Sequence, residues 1–194
     1  MSDNRERGEI LFVKPALSRE EAIKRLALRS FLPPFSKVRM EKVEITYLPH
    51  YLFAIKVEWK GREEVVEAAA DAILGHFALW RPEHAKLEPA PGVEFELPFF
   101  LAREEARERL IREYRWVLIS TALKLRRRFK VREVLPGPRM YYPFWTGYYR
   151  SRKRWNLEVA DALTGMRQGG KVRDSILAAW MSRETKAQTA GPDT

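Results

Sequence analysis

Positively charged and aromatic side chains lie close together in the second half of the chain, in a combination suited to polyanion binding. Five cations end a predicted helix: Lys124, Arg126, Arg127, Arg128 and Lys130. Further along the chain, a predicted hairpin turn carries four cations flanked by three aromatic residues: Arg150, Arg152, Lys153 and Arg154, with Tyr148, Tyr149 and Trp155. Cations neutralise phosphates while aromatic rings stack on bases. We therefore predict a polyanion-binding surface with these aromatic residues exposed beside it.

The same cations are open to other interpretations. An acidic protein or an anionic membrane surface would be attracted by the same charges. A solvated helix end and a solvated turn also carry cations without any binding role, because cations stabilise the C-terminus of a helix. The sequence favours a macromolecular acidic partner, and it favours nucleic acid or a ribonucleoprotein among such partners.

Two aspartates occupy similar sequence contexts, Ala70-Asp71-Ala72 and Ala160-Asp161-Ala162, each four residues before a glycine. A pair of carboxylates can perform acid–base chemistry or hold a metal. Asp followed by Gly is also typical of a turn, in which the carboxylate accepts backbone N–H groups and Gly adopts a positive φ. We favour the turn interpretation for both.

The remaining reactive residue types show no catalytic pattern. The histidines are His50, His76 and His84, which are not spaced as ligands on one helix face, and the chain has no cysteine. The serines lack a nucleophile elbow. We therefore predict a protein that is not an enzyme and that holds neither a metal nor a cofactor.

Several motifs recur in the same order. Leu17-Ser18-Arg19-Glu20-Glu21-Ala22 returns as Leu101-Ala102-Arg103-Glu104-Glu105-Ala106, and Ala70-Asp71-Ala72 returns as Ala160-Asp161-Ala162. Between them lie Tyr47-x-Pro49-x-Tyr51 and Tyr141-x-Pro143-x-Trp145. These aromatic blocks are either stacking platforms or packing residues at a strand bent by proline, and their repetition favours packing. The ordered recurrence predicts a duplicated structural unit.

Composition limits the class of protein and shows where the halves differ. The 194 residues carry a formal net charge of +10. Residues 1–100 contain 15 Lys or Arg and 16 Asp or Glu, whereas residues 101–194 contain 21 and 10. The absence of cysteine and of a long apolar run predicts a cytoplasmic protein without a transmembrane segment. The excess positive charge points to acidic partners.

The pattern of elements predicts an α+β fold of two pseudo-repeats. Each pseudo-repeat is a helix followed by an antiparallel β-meander, the two pack together, and a short helix ends the chain. Ser18 and Glu21 form a predicted capping box, and Ile10 to Lys14 is a predicted edge strand. The predicted bounds are 1–80 for the first repeat, 81–100 for a proline-rich joint, 101–183 for the second, basic repeat and 184–194 for a disordered tail.

The second half resembles the PepSY-type domain. The resemblance rests on Glu104-Glu105-Ala106 at a helix start, an aromatic strand, and Val159-Ala160-Asp161-Ala162-Leu163-Thr164-Gly165 at the end of a hairpin. The first half keeps Glu20-Glu21-Ala22 and Ala70-Asp71-Ala72 but has Leu74 at the threonine position. The resemblance implies a tandem PepSY-like fold and, as the alternative function, a protein-interaction or protease-regulating module.

Overall fold

A computed structural model describes residues 10–27, 39–81, 85–89, 97–125, 129–151 and 154–189. Three helices lie in these ranges: α1 (Arg19–Leu26), α2 (Arg103–Leu125) and α3 (Gly170–Thr189). The strands are β1 (Ile10–Val13), β2 (Arg39–Trp59), β3 (Arg62–Asp71), β4 (Phe77–Leu79), β5 (Leu87–Pro89), β6 (Lys130–Ser151) and β7 (Arg154–Asp161). Strand is therefore the main component of the described chain.

The described strands form one seven-stranded mixed sheet with the order β4-β3-β2-β6-β1-β5, and β7 pairs with β6. β1 pairs with β6 in parallel, whereas the hairpins β2–β3 and β6–β7 are antiparallel. The predicted fold of two helix-then-meander repeats is wrong. β2 and β6 each continue through their proline, so strands that were assigned to separate meanders share one sheet.

The chain forms two compact units that interleave along the sequence. The first comprises Met1–Val13 and Pro49–Tyr142, and the second comprises Lys14–Leu48 and Pro143–Thr194. The chain crosses from one unit to the other inside β2, at Pro49, and inside β6, at Pro143. The bounds at 80, 100 and 183 delimit the two predicted repeats. They stay a prediction, because the division into compact units does not test whether the chain arose by duplication.

The first unit packs α2 against the β2–β3 hairpin. Lys60 and Gly61 adopt positive φ angles of 49° and 73°, as a tight two-residue hairpin turn requires. The side chains buried here come from one face of the hairpin and from one stripe of α2, spaced by four residues. They are Tyr51, Phe53, Ile55, Val57, Ala68, Ala70, Ala72, Ala106, Leu110 and Tyr114.

The second unit packs α1 and α3 against β7 of the other hairpin. The predicted capping box is confirmed: the Glu21 N–H donates to Ser18 Oγ, and the Ser18 N–H donates to Glu21 Oε2 at 2.9 Å. These bonds from the Ser18 backbone and side chain lower the pKa of Glu21. Ala22 and Leu26 on the inner face of α1 are buried against Trp145, Ala160 and Ala162.

The repeated motifs meet in exchanged pairs. The start of α1 belongs to the first half of the sequence, yet it packs with the hairpin of the second half. Conversely, the start of α2 packs with the hairpin of the first half. The Ala162 carbonyl accepts the N–H groups of Ala16 and Leu17, and the Ala72 carbonyl accepts those of Phe100 and Leu101. Each unit thus contains one helix start and one hairpin from opposite halves.

Several predicted elements differ in extent from those observed. β1 is a strand, but it lies between β6 and β5 and is not at the edge. The proline-rich joint contains β5, and β6 continues through Pro136-Gly137-Pro138, although proline is rare inside a strand. α3 reaches Thr189, so residues 184–189 of the predicted disordered tail are helical, and residues 190–194 lie outside the described ranges.

The exchange of helices predicts that neither half of the chain folds alone. Fragments 1–92 and 93–194 should each lack a cooperative urea transition, because each unit draws its core from both. Mixed in equal amounts, they should associate and recover the circular dichroism and urea transition of the intact chain. A cooperative transition in fragment 1–92 by itself would contradict this exchange.

Candidate functional site

The β6–β7 hairpin presents a cation beside an exposed indole ring. Arg150 and Trp155 are cross-strand partners, so their side chains lie on the same face of the hairpin. The Arg150 guanidinium lies 5.8 Å from the centre of the Trp155 ring, and Trp155 is 63% exposed. The described part of the turn therefore offers a charged group and a stacking surface together.

Tyr148 belongs to a second cluster of cations and rings in the same unit. Its ring stacks on Trp180 of α3, with centroids 5.2 Å apart and planes 13° from parallel. The Lys42 ammonium lies 5.8 Å from the Tyr148 centroid, and the Tyr148 hydroxyl donates to Glu44 at 2.6 Å. Tyr148 is half-buried, so only part of its ring is open to a partner.

Tyr149 does not lie on the surface, so this part of the predicted site is wrong. The residue is 3% exposed, and its hydroxyl donates to the carbonyl of Leu26 at the end of α1. Burial raises the pKa of Tyr149, which keeps the hydroxyl protonated as a donor. Successive residues of a strand face opposite sides. Tyr149 lies on the face of β6 that α1 covers, whereas Tyr148 and Arg150 share the other face, where Tyr148 packs on Trp180 of α3.

The predicted cations are distributed over both units. Lys124 on the last turn of α2 and Lys130 at the start of β6 are exposed in the first unit, whereas Arg150 is exposed in the second. Arg154 lies in β7. The other predicted cations lie outside the described residues: Arg126, Arg127, Arg128, Arg152 and Lys153.

The two aspartates form turns of the same geometry. Asp71 Oδ1 accepts the N–H groups of Ile73 and Leu74 at 3.0 and 2.7 Å, and its Oδ2 accepts that of His76 at 2.7 Å. Asp161 Oδ1 accepts the N–H groups of Leu163 and Thr164 at 2.8 and 2.9 Å. The turn interpretation accounts for both carboxylates, which stand in different units.

A glycine completes each turn and lets a helix approach it. Gly75 and Gly165 have φ angles of +75° and +71°. A Cβ atom on Gly75 would lie 2.6 Å from Arg109 Cδ of α2, and one on Gly165 would lie 2.9 Å from Leu17 Cδ2. Both glycines are therefore required by backbone conformation and by packing.

The aromatic residues after the two prolines also serve packing. The Tyr51 hydroxyl donates to the Leu101 carbonyl at 3.0 Å, and the Trp145 indole N–H donates to the Leu17 carbonyl at 3.2 Å. Each ring thus holds the segment that enters a helix. Both residues are buried, which leaves no stacking platform at these positions.

The structure also contains cation–ring contacts that the sequence did not indicate. The Arg103 guanidinium lies 5.5 Å from the Tyr51 ring centre, and that of Arg139 lies 5.6 Å from the ring centre of Phe99. Arg103 Nε is buried without a hydrogen-bond acceptor among the described residues. The recurring Leu-x-Arg-Glu-Glu-Ala motif contains Arg103, but only the fold shows that it meets the aromatic residue of the other repeated motif.

The described ranges contain neither a metal-binding cluster nor a helix that could span a membrane. His76 Nδ1 lies 3.1 Å from Glu113 Oε1, yet no group of three or more His, Asp or Glu there can hold a metal ion. None of the helices in the described part of the chain is long and apolar enough to cross a membrane. Comparison of the chain with protein-family models, curated proteins and solved structures finds no match.

We expect the two aspartates to contribute to stability in proportion to the bonds they accept. Asp71→Ala should lower the free energy of unfolding by about 2–4 kcal/mol and Asp161→Ala by about 1–3 kcal/mol, because the N–H groups that lose their acceptors are buried or part-buried at Asp71 and more exposed at Asp161. Urea denaturation at neutral pH measures both values. A stabilisation of the unmutated chain by divalent cations that disappears in Asp71→Ala would instead indicate a metal site.

Proposed function

We propose that this chain is a non-enzymatic binding or regulatory module that presents a basic, aromatic surface to an acidic partner, with nucleic acid or a ribonucleoprotein favoured. The proposal includes a cytoplasmic location. The contact between Arg150 and the exposed Trp155 carries it. A tryptophan that is largely open to water costs hydrophobic free energy, and a stacking partner would recover that cost.

The electrostatic setting of this hairpin supports a polyanion. The sequence between the two partners is Ser151-Arg152-Lys153-Arg154, so four cations occur within five positions, 150–154. The other hairpin provides an internal contrast. There Trp59 and Arg62 are cross-strand partners in a similar position, but Glu58, Glu63 and Glu64 are close neighbours in sequence. With Lys60 and Arg62, residues 58–64 carry two cations and three carboxylates, whereas residues 150–154 carry four cations and no carboxylate. The β6–β7 hairpin would therefore attract phosphates more strongly than the β2–β3 hairpin.

The PepSY-type resemblance supplies the competing proposal, a protein-interaction or protease-regulating module. It rests on the helix start at Glu104-Glu105-Ala106 and on the turn at Asp161 to Gly165. The two proposals differ in the class of partner and in how strongly its binding depends on salt. Phosphate contacts release counterions and make affinity fall steeply with salt, whereas a mainly apolar protein contact depends on salt only weakly.

Binding to a fluorescently labelled single-stranded oligonucleotide, measured by anisotropy over a series of salt concentrations, tests the proposal. Reversing Arg152, Lys153 and Arg154 to Glu should abolish measurable binding. Trp155→Ala should weaken binding by about 1–3 kcal/mol at every salt concentration, because one stacked base is lost. Arg62→Glu on the β2–β3 hairpin is the matched control and should leave the affinity for the oligonucleotide unchanged.

Two results would contradict the nucleic-acid proposal. One is unchanged affinity after the triple reversal. The other is recovery of a defined protein partner from a nuclease-treated extract, with the triple variant recovering the same partner equally well. The second result would favour the PepSY-like alternative and would move the interaction away from the β6–β7 hairpin.

A further inference from the structure

Helix α2 exposes a second apolar face. Trp116 is 69% exposed, Ile119 is 49% exposed and Leu123 is 75% exposed. Their spacing of three and four residues places them on one side of the helix. The eight residues from Trp116 to Leu123 contain no charged side chain. We call Trp116, Ile119 and Leu123 the outer patch.

The outer patch is separate from the core. The inner stripe of α2, formed by Ala106, Leu110 and Tyr114, is buried against the β2–β3 hairpin. At 100° per residue, Leu123 points about 140° away from Leu110 around the helix axis. The C-terminal half of α2 is therefore apolar on two sides, and among the described residues only the inner side is covered. A contiguous exposed apolar face of this kind marks an interaction site in soluble proteins.

Cations stand at both ends of the outer patch. Arg112 is exposed one turn before it, Arg115 directly before it, and Lys124 directly after it, about 100° from Leu123 around the helix axis. If a second copy packed antiparallel across Ile119, Arg115 of each copy would lie opposite Leu123 of the other, because positions equally far from Ile119 meet. A guanidinium set against an apolar side chain at both ends of the contact disfavours this pairing. The same cations would attract acidic groups at both ends of a partner helix.

An anionic membrane fits this face less well than a helix. The outer side of α2 continues towards its N-terminus with exposed Glu104, Glu105 and Glu108. A lipid surface that reached the outer patch along the helix would meet these carboxylates, which anionic head groups repel. A partner helix that crosses α2 at an angle contacts only two or three turns and avoids them.

We propose that the outer patch of α2 docks an acidic amphipathic helix of a partner protein. Trp116, Ile119 and Leu123 receive the apolar stripe of that helix, and Arg112, Arg115 and Lys124 pair with acidic residues at its two ends. This surface is distinct from the β6–β7 hairpin. The proposal stands on the α2 patch alone and does not require that the chain bind nucleic acid.

The test uses the full chain and two synthetic peptides of about 15 residues, long enough to form a helix. Both peptides carry the same leucine stripe, one with glutamates at its ends and the other with lysines. Isothermal titration should show that the acidic peptide binds and that the basic peptide binds at least about tenfold more weakly. The double variant Trp116→Ser and Leu123→Ser should lose about tenfold or more in affinity for the acidic peptide.

Val65→Ser is the matched control, since Val65 is an apolar residue of the same unit that is 62% exposed and lies outside the outer patch. It should leave peptide binding unchanged. Equal binding of the two peptides, or an equal loss in Val65→Ser, would overturn the proposal. So would a Trp116-dependent dimer in sedimentation, or Trp116-dependent binding to vesicles of phosphatidylcholine and phosphatidylglycerol that exceeds peptide binding.

Because the mutated side chains are largely solvated, the double variant should keep the urea transition of the unmutated chain. It should also keep any oligonucleotide binding. The triple reversal of Arg152, Lys153 and Arg154 should conversely leave the acidic peptide bound. These crossed measurements separate failure at the outer patch from failure at the hairpin.

Discussion

The fold depends on satisfying the backbone at two turns, each of which needs a chain segment from the opposite half of the sequence. After Asp71, the Ala72 carbonyl accepts two N–H groups from the residues that lead into α2, and the Ala72 N–H donates to Pro49. After Asp161, Ala162 makes the corresponding bonds with the residues before α1 and with Pro143. Buried backbone groups without partners are costly. The hairpins, the helix starts and their glycines are therefore constrained together.

The sequence predicted local features well, because neighbouring residues determine them. Ser18 with Glu21 defined a helix start, and Asp71 with Gly75 defined a turn, since each pattern satisfies its own N–H groups. Longer-range features were missed. Pro136-Gly137-Pro138 reads as a break, but β6 continues through it, and β5 is a three-residue strand that only its pairing with β1 reveals. The exchange of helices likewise has no local signal.

In the candidate site too, the sequence predicts local features but not those that depend on strand register or packing. Alternation along β6 places Tyr148 and Tyr149 on opposite faces, but only the packing of α1 shows that the Tyr149 face is the buried one. The partnership of Arg150 with Trp155 required the register of the hairpin. On α2, the sequence itself shows that the run from Trp116 to Leu123 contains no charged residue. That the outer patch in this run is exposed follows only from the fold, which shows that the β2–β3 hairpin covers the other apolar side of α2.

The exchange of helices also determines when the core around α1 can form during translation. The inner face of α1, with Ala22 and Leu26, leaves the ribosome early, but Trp145, Ala160 and Ala162, which cover it, are synthesised about 120 to 140 residues later. At typical elongation rates of about 5–20 residues per second, this delay is on the order of ten seconds. During that interval, of the buried residues that cover the apolar face of α1, only Val43 has been synthesised, so the nascent chain exposes an apolar surface that the finished protein buries.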